Sequence, residues 1–225
     1  MRWHWKESPD GLVLTLAGDI PGVSELGFIG RTHPGMPVLA HRATVRLGQV
    51  HGAHVASVTE SGSIPSCDGA RTHTPNLLLT VRTADCVPVL LTDANGIALL
   101  HAGWRGLAGG ILEEGLSGFQ DPQTVHAVLG PAIRVCCYEV GPEVASQFPQ
   151  ESLRPGPGAK AHLDLFRAAR MQLLARGVRM ESIAEAPYCT RCHQHLLASA
   201  RGSAGGAERI IAFAGFRSGL AGQPP

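Results

Sequence analysis

Apolar positions along this chain fall into short blocks that obey two different periods. Gly11–Ala17, Ala43–Val50 and Ala53–Thr59 are β-rich and predict strands, the last two separated by a His-Gly break. Leu77–Val81, Val87–Leu91 and Ile97–Leu100 predict three more in quick succession, and Asp93-Ala-Asn95-Gly96 predicts a tight hairpin turn between the last two. Ser61–Asn76, full of Ser, Gly, Pro, Asp and Thr, reads as a loop. The period changes over Arg105–Phe119, where Leu107, Ile111, Leu112 and Leu116 share one helical face. Thr124–Leu129 returns to strand, Gly141–Phe148 predicts a short helix, and Gln150–Ala159 is a Pro/Gly-rich loop. His162–Arg176 is the clearest helix, with Gly177 as its stop signal, and Arg209–Phe213 is a final strand. Strands and helices mix without regular βαβ alternation, repeat or linker. The expectation is one mixed α/β (α+β) domain over residues 1–225.

Composition narrows the function classes. With 225 residues, 44% apolar and 16% charged, the chain can bury a substantial core without staples. A formal net charge of +1 gives no electrostatic reason to expect nucleic acid or an anionic membrane. No apolar run approaches the length of a spanning helix, and the N-terminus turns polar where a signal peptide would be apolar. The expected compartment is the cytoplasm, so the six cysteines (67, 86, 136, 137, 189, 192) read as thiols.

Candidate chemistry gathers at element ends. His51 precedes Gly52 at a strand-to-turn junction, Cys86 lies in Thr83-Ala-Asp85-Cys86-Val-Pro88, and His101 closes an apolar strand before Gly103 and Gly106. One thiolate and two imidazoles are a three-ligand set, which leaves the open position a catalytic zinc requires. Taken singly, Cys86 also reads as a small buried hydrophobe, and each histidine as a hydrogen-bonded structural group. Gly103-Trp104-Arg105-Gly106, opening a helix, points backbone N–H groups and the Arg105 fork at one region, which suits an anion. Cys189-Thr-Arg-Cys192-His193 matches the c-type haem attachment pattern, but without an export signal it reads as a loop with two thiols. A second zinc site on that CxxC with His193 or His195 is incomplete, and Cys136-Cys137 reads as core or cleft packing. His4, His33, His41, His54, His73, His126 and His162 have no arguable partner in the sequence.

Read together, Gln49-Val-His51-Gly, Thr83-Ala-Asp85-Cys86-Val-Pro-Val-Leu, His101-Ala-Gly-Trp-Arg-Gly106, Leu129-Gly-Pro-Ala-Ile133 and Tyr138-Glu-Val-Gly141 come in a telling order. The chain resembles the multicopper polyphenol oxidase or laccase-domain family (the DUF152 type), also called the YfiH family of purine nucleoside phosphorylases. The resemblance is strong over residues 47–145 and looser beyond. It implies a four-layer α/β/β/α arrangement, a fold that extends to toxins with Cys–His chemistry. It also implies one zinc per chain on His51, Cys86 and His101. The implied reaction is phosphorolysis of adenosine, inosine and 5′-methylthioadenosine by inorganic phosphate, with adenosine deamination as a side activity. Copper is not expected, since one Cys and two His cannot serve the several sites of a multicopper oxidase.

Two segments depart from the family pattern. Gly27-Phe-Ile-Gly-Arg31-Thr-His-Pro-Gly35 matches only the beginning of Thr-Arg-x-Gly-Gly-Val-Ser, with Arg31 as the motif arginine. Ala198-Ser-Ala-Arg201 stands where Ser-Tyr-Arg-Arg is usual. Phosphate contacts are therefore expected from Arg105, Arg31 and Arg201, and Asp85 is expected beside the ligands as a structural carboxylate or a general acid/base. Two competing readings remain: a metal-free Cys–His hydrolase or amidase with Cys86 as nucleophile, and an impaired nucleoside-binding module.

Overall fold

Two β-sheets stacked face to face carry the architecture, and the chain repeatedly crosses from one to the other. The computed structural model describes residues 2–32, 39, 42–202 and 207–217. In chain order its strands are β1 (Arg2–Ser8), β2 (Gly11–Ala17), β3 (Val23–Thr32), β4 (Thr44–Gly48), β5 (Val55–Ser57), β6 (Gly62–Pro65), β7 (Gly69–Thr72) and β8 (Leu78–Thr83). There follow β9 (Val87–Thr92), β10 (Ile97–Ala102), β11 (His126–Leu129), β12 (Glu139–Val140), β13 (Leu153–Pro155), β14 (Ala161–Leu163), β15 (Ile183–Glu185) and β16 (Arg209–Phe216). The helices are α1 (Trp104–Ala108), α2 (Ile111–Leu116), α3 (Pro142–Ala145) and α4 (Leu165–Ala175).

A seven-stranded sheet runs β1-β2-β3-β16-β8-β4-β6, and a six-stranded sheet runs β15-β11-β9-β10-β7-β5. Strands β12, β14 and β13 form a small third sheet. Period-two alternation sorts the central strands between two cores. In β10, Ile97 and Leu99 face the seven-stranded sheet, while Ala98 and Leu100 face the helices. Both faces of that sheet are thus covered, so β9 and β10 read as unbroken apolar runs. Helices α1, α2 and α4 belong to the core on its outer face. The small apolar patch of Val13, Ile29, Leu78, Phe213 and Leu39 contains no helical residue. The mixed α+β class holds, and the described residues build the α, β and β layers.

Several predicted elements shift for local reasons. The stretch read as a loop, Ser61–Asn76, contains β6 and β7, because sheet pairing overrides its turn-rich composition. The single helix expected over Arg105–Phe119 is two short ones; Gly110, at φ 87°, cannot continue a right-handed helix. The apolar spacing was sound, since Leu107, Ile111, Leu112 and Leu116 are all buried. Helix α4 starts three residues later than its pattern, because His162 and Leu163 pair in β14 and Asp164 caps the Arg167 N–H. Leu153–Pro155, within the predicted Pro/Gly-rich loop, forms the edge strand β13. The 93–96 hairpin is present, with the Asp93 carboxylate accepting from the Asn95 and Gly96 N–H groups. Strands β1 and β3 had no sequence-based expectation.

Candidate metal centre

Three successive crossings from the seven-stranded to the six-stranded sheet deliver the site. The β4-to-β5 crossing carries His51, the β6-to-β7 crossing carries Asp68, and the β8-to-β9 crossing carries Cys86. His101 arrives from β10, whose end pairs with the start of β9 in the register His101↔Pro88 and Ala102↔Val87. Each crossing turns on one non-glycine residue in the left-handed region: His51 (φ 62°), Ser66 (φ 52°) and Asp85 (φ 87°). Such conformations cost energy and persist only where surrounding contacts fix them.

At His51 those contacts come from Asp68. Its buried carboxylate accepts the backbone N–H groups of Val50 (3.1 Å), His51 (2.9 Å) and Gly52 (2.7 Å). It also accepts Nδ1–H of His101 at 2.8 Å, which leaves Nε2 as the nitrogen available to Cys86 or a metal. Gln49 adds a clamp, exchanging two 2.8 Å hydrogen bonds between its side-chain amide and the Arg82 backbone. Donor atoms of His51, Cys86 and His101 lie within 4.8 Å of one another, and the two imidazoles meet edge to face at 4.9 Å. Gly103 passes so close that a Cβ there would lie 2.9 Å from Cys86 Sγ.

The electrostatics favour a thiolate. Burial opposes ionisation of Cys86, yet hydrogen bonds and charge from His101 and His51 more than offset it and bring the thiol down to about 7. Burial likewise disfavours a charged His101, but its bonds to Asp68 and Cys86 prevail and raise it to about 9. Asp68 is held below the carboxylate range: burial pushes it up, and the His101 bond with the Gly52 and Val50 N–H groups pulls it further down. Two imidazoles and one thiolate, oriented by a buried carboxylate, are a donor set that fits a zinc ion with one position open.

Asp85 is only 6% exposed, and its carboxylate is fully engaged. It accepts from Thr190 Oγ1 (2.6 Å), Ser199 Oγ (2.7 Å) and the Arg201 backbone N–H (2.8 Å), fastening the 190–201 segment beside Cys86. The predicted arginines separate. Arg105 stacks on the Trp104 ring at 4.3 Å, and Arg201 lies 5.3 Å from the Tyr138 ring while donating to the Glu139 carbonyl. The Tyr138 phenol is pushed up to about 12 by burial, then by Cys86 and Asp85, against the pull of Arg201 and Arg105. Arg31 is instead committed to Glu208 and the Gln194 carbonyl. Residues 33–38 of the segment matching the N-terminal motif, with His33 and His41, lie outside the described residues.

A cavity of about 860 Å³ opens over the triad, lined by His51, Cys86 and His101 together with Arg46, Arg82 and Arg209. Sequence reasoning missed these three arginines and Asp68. Asp68 sits in a Gly/Ser-rich stretch with no motif around it, and only the tertiary pairing of three crossings gives it a role. Elsewhere, His4, His73 and His162 bond to Thr15, Asn95 and Val135, whereas buried His126 Nδ1 has no partner among the described residues.

Comparison with known proteins places this geometry in a family. The chain belongs to the multi-copper polyphenol oxidoreductase laccase family, whose model matches residues 35–217. Its relatives are enzymes. Purine nucleoside phosphorylase YlmD of Geobacillus stearothermophilus is 38% identical over 194 residues, covering 75% of this chain and 70% of that protein. Adenosine deaminase RL5, from an unknown prokaryotic organism, is 33% identical over 177 residues, covering 68% of this chain and 67% of RL5. The crystal structure of YlmD from Geobacillus stearothermophilus superposes with a TM-score of 0.75 at 30% identity, covering 85% of this chain and 91% of that one. Among the described residues, no helix is long and apolar enough to cross a membrane.

Proposed function

We propose that this chain is a purine nucleoside phosphorylase, one catalytic domain working in the cytoplasm with a zinc ion on His51, Cys86 and His101. The observation that carries the reading is the Asp68-oriented His51–Cys86–His101 set, in a family whose relatives include phosphorylases. Substrates would be adenosine, inosine and 5′-methylthioadenosine, with adenosine deamination as a lesser activity in keeping with the similarity to RL5.

In phosphorolysis a phosphate oxygen bonds to the ribose anomeric carbon while the glycosidic bond breaks. The bonding pair leaves on the purine, which takes up a proton. A bound zinc ion would supply Lewis-acid polarisation of an electronegative substrate atom. The chain's own residues provide the rest. Asp68 holds the His101 ring and the backbone turn that carries His51, so little reorganisation is required during reaction. Arg105, stacked on Trp104, and Arg201, beside the Tyr138 ring, would supply the positive charge that stabilises a phosphate dianion. Tyr138, a phenol already protonated near neutral pH and pushed further up by burial, can donate a hydrogen bond but not serve as a base there.

The test is a product analysis of metal-assayed protein with each nucleoside, with and without phosphate. Phosphate-dependent release of free base and ribose 1-phosphate is expected. Base release without phosphate, or none at full zinc occupancy, would remove the phosphorylase reading.

One observation favours a second reading. The Cys86 sulfur lies within 4.8 Å of a His101 ring nitrogen, and Asp68 accepts from His101 Nδ1, which is the thiol–imidazole–carboxylate order of a cysteine hydrolase. Such an enzyme would keep its activity after exhaustive chelation, whereas the zinc enzyme would lose it.

A further inference from the structure

A second cluster of thiols lies away from the His51–Cys86–His101 set. Cys136 and Cys137 sit in the turn that follows β11, and Cys189 and Cys192 in the turn that follows β15. All four sulfur atoms lie within 4.8 Å of one another. Cys192 Sγ is 3.8 Å from that of Cys136 and 3.5 Å from that of Cys137, and all four thiols are free. The sequence left these pairs apart, with Cys136-Cys137 as packing and the CxxC without enough ligands. In the fold each pair completes the other, and Cys136 is exposed rather than packed into the core.

We propose that Cys136, Cys137, Cys189 and Cys192 form a second metal site, a closed four-thiolate centre for a soft divalent cation, zinc in the first instance.

Geometry supports it. A tetrahedron with Zn–S bonds of about 2.3 Å has sulfur–sulfur edges of about 3.8 Å. The two measured separations fall at that value or just below it, well beyond the ~2 Å of a disulfide. Both turns are shaped by their own backbone. Cys137 and Tyr138 N–H groups bond to the Arg134 carbonyl, and the His193 N–H bonds to the Cys189 carbonyl. Cys189 bridges to Ala132, which also accepts the Thr190 N–H. The thiols are therefore brought together by the fold without needing the ion.

Chemistry points the same way. Cys189 Sγ accepts backbone N–H bonds from Arg134, at 3.5 Å, and from Cys192, and these favour its ionised form. Burial and the neighbouring sulfurs push Cys136 up to about 11 and Cys137 further, so the cluster resists further ionisation on its own. A dication reverses that balance: it binds the thiolates and releases their protons to solvent. With four protein sulfurs no position remains for substrate, so the site is structural. Its placement gives it a purpose. It staples the 132–138 segment to the 189–202 segment, whose Thr190, Ser199 and Arg201 N–H hold Asp85 beside Cys86.

The test counts metal on the full chain, purified without chelators under reducing conditions. Mass spectrometric metal analysis should give about two zinc ions per chain in the wild type. Cys192→Ser should give about one, and so should Cys86→Ala, which empties only the first centre. In the Cys86→Ala protein, cobalt should give thiolate-to-cobalt charge transfer with tetrahedral d–d bands, and zinc should displace it. Those spectra also serve if Cys192→Ser fails to fold, since the Cys86→Ala chain leaves the four thiols intact. A wild type with one zinc that Cys192→Ser leaves unchanged would overturn the proposal. So would a cobalt-silent Cys86→Ala protein, or one whose intact mass shows Cys192 in a disulfide. A Cys86→Ala protein that keeps both zinc ions would count against the first centre, not this one.

Discussion

His101 donates its Nδ1–H to Asp68 Oδ1 at 2.8 Å, and that same carboxylate holds the backbone of residues 50–52. One buried side chain thus sets both imidazoles: His101 through its ring, His51 through the left-handed turn that carries it. Asp68→Asn keeps the shape but replaces an acceptor-only group with an amide that must turn a donor toward at least one N–H. Zinc affinity should fall about 10–100-fold. A competition titration against a chromogenic chelator reads this directly; an unchanged dissociation constant would leave Asp68 with a folding role alone.

Gly103 offers a cleaner probe of the metal centre. Its backbone (φ −76°, ψ 174°) is one any residue adopts, so Ala there carries no conformational penalty. The added methyl would lie 2.9 Å from Cys86 Sγ and 3.7 Å from the His51 ring, inside the donor set. Gly103→Ala should therefore lose the first zinc while retaining its circular dichroism, at a cost of about 1–3 kcal/mol in stability as Cys86 shifts. Full zinc occupancy in that variant would mean that the added methyl does not reach the donor set.

Asp85 distinguishes an anchor from a proton carrier by magnitude. Removing a general acid or base costs about 10²–10⁴ in rate. An anchor that accepts three hydrogen bonds costs stability instead, about 1–3 kcal/mol when an amide leaves one buried donor unpaired. Asn tolerates the φ of 87°, so Asp85→Asn tests the carboxylate and not the backbone. A fall in melting temperature of about 2–12 °C is expected. Proteolytic cutting between residues 190 and 202 should be faster, and kcat should stay within about tenfold. A loss of kcat beyond a hundredfold in a stable variant would make Asp85 part of the chemistry.

How much of this could be read without coordinates depends on how local each feature is. The strand blocks at 87–91 and 97–100 and the turn at 93–96 are local patterns that stand where the sequence placed them, and His51, Cys86 and His101, each set in a local motif, come together as a group that could hold a metal. Strands β6 and β7 were invisible, because their turn-rich residues extend only once neighbouring strands pair with them. Asp68 was invisible for the same reason: its four partners lie 16 to 33 residues away in the chain. The four-thiol cluster joins residues more than fifty positions apart, so each half looked incomplete. Arg31 was legible as a motif residue but not in its contacts, since its partners lie more than 160 residues away.

The arginines supply a last discrimination, resting on the phosphorylase reading. Arg31 is held by Glu208 and by the Gln194 carbonyl, so its charge is already spent in the fold. Arg105 stacks on Trp104 and has no ion pair among the described residues. A charge-assisted contact to phosphate is worth about 1.5–3 kcal/mol, a factor of about 10–100 in an equilibrium constant. Arg105→Ala should therefore raise the phosphate KM by at least about tenfold while zinc content and the nucleoside KM hold. Arg31→Ala should leave the phosphate KM within about twofold and lower the melting temperature instead. Initial rates at varied phosphate, with nucleoside saturating, separate the two. If Arg31→Ala moves the phosphate KM and Arg105→Ala does not, the anion binds on the Arg31 side and the Trp104 stack is structural.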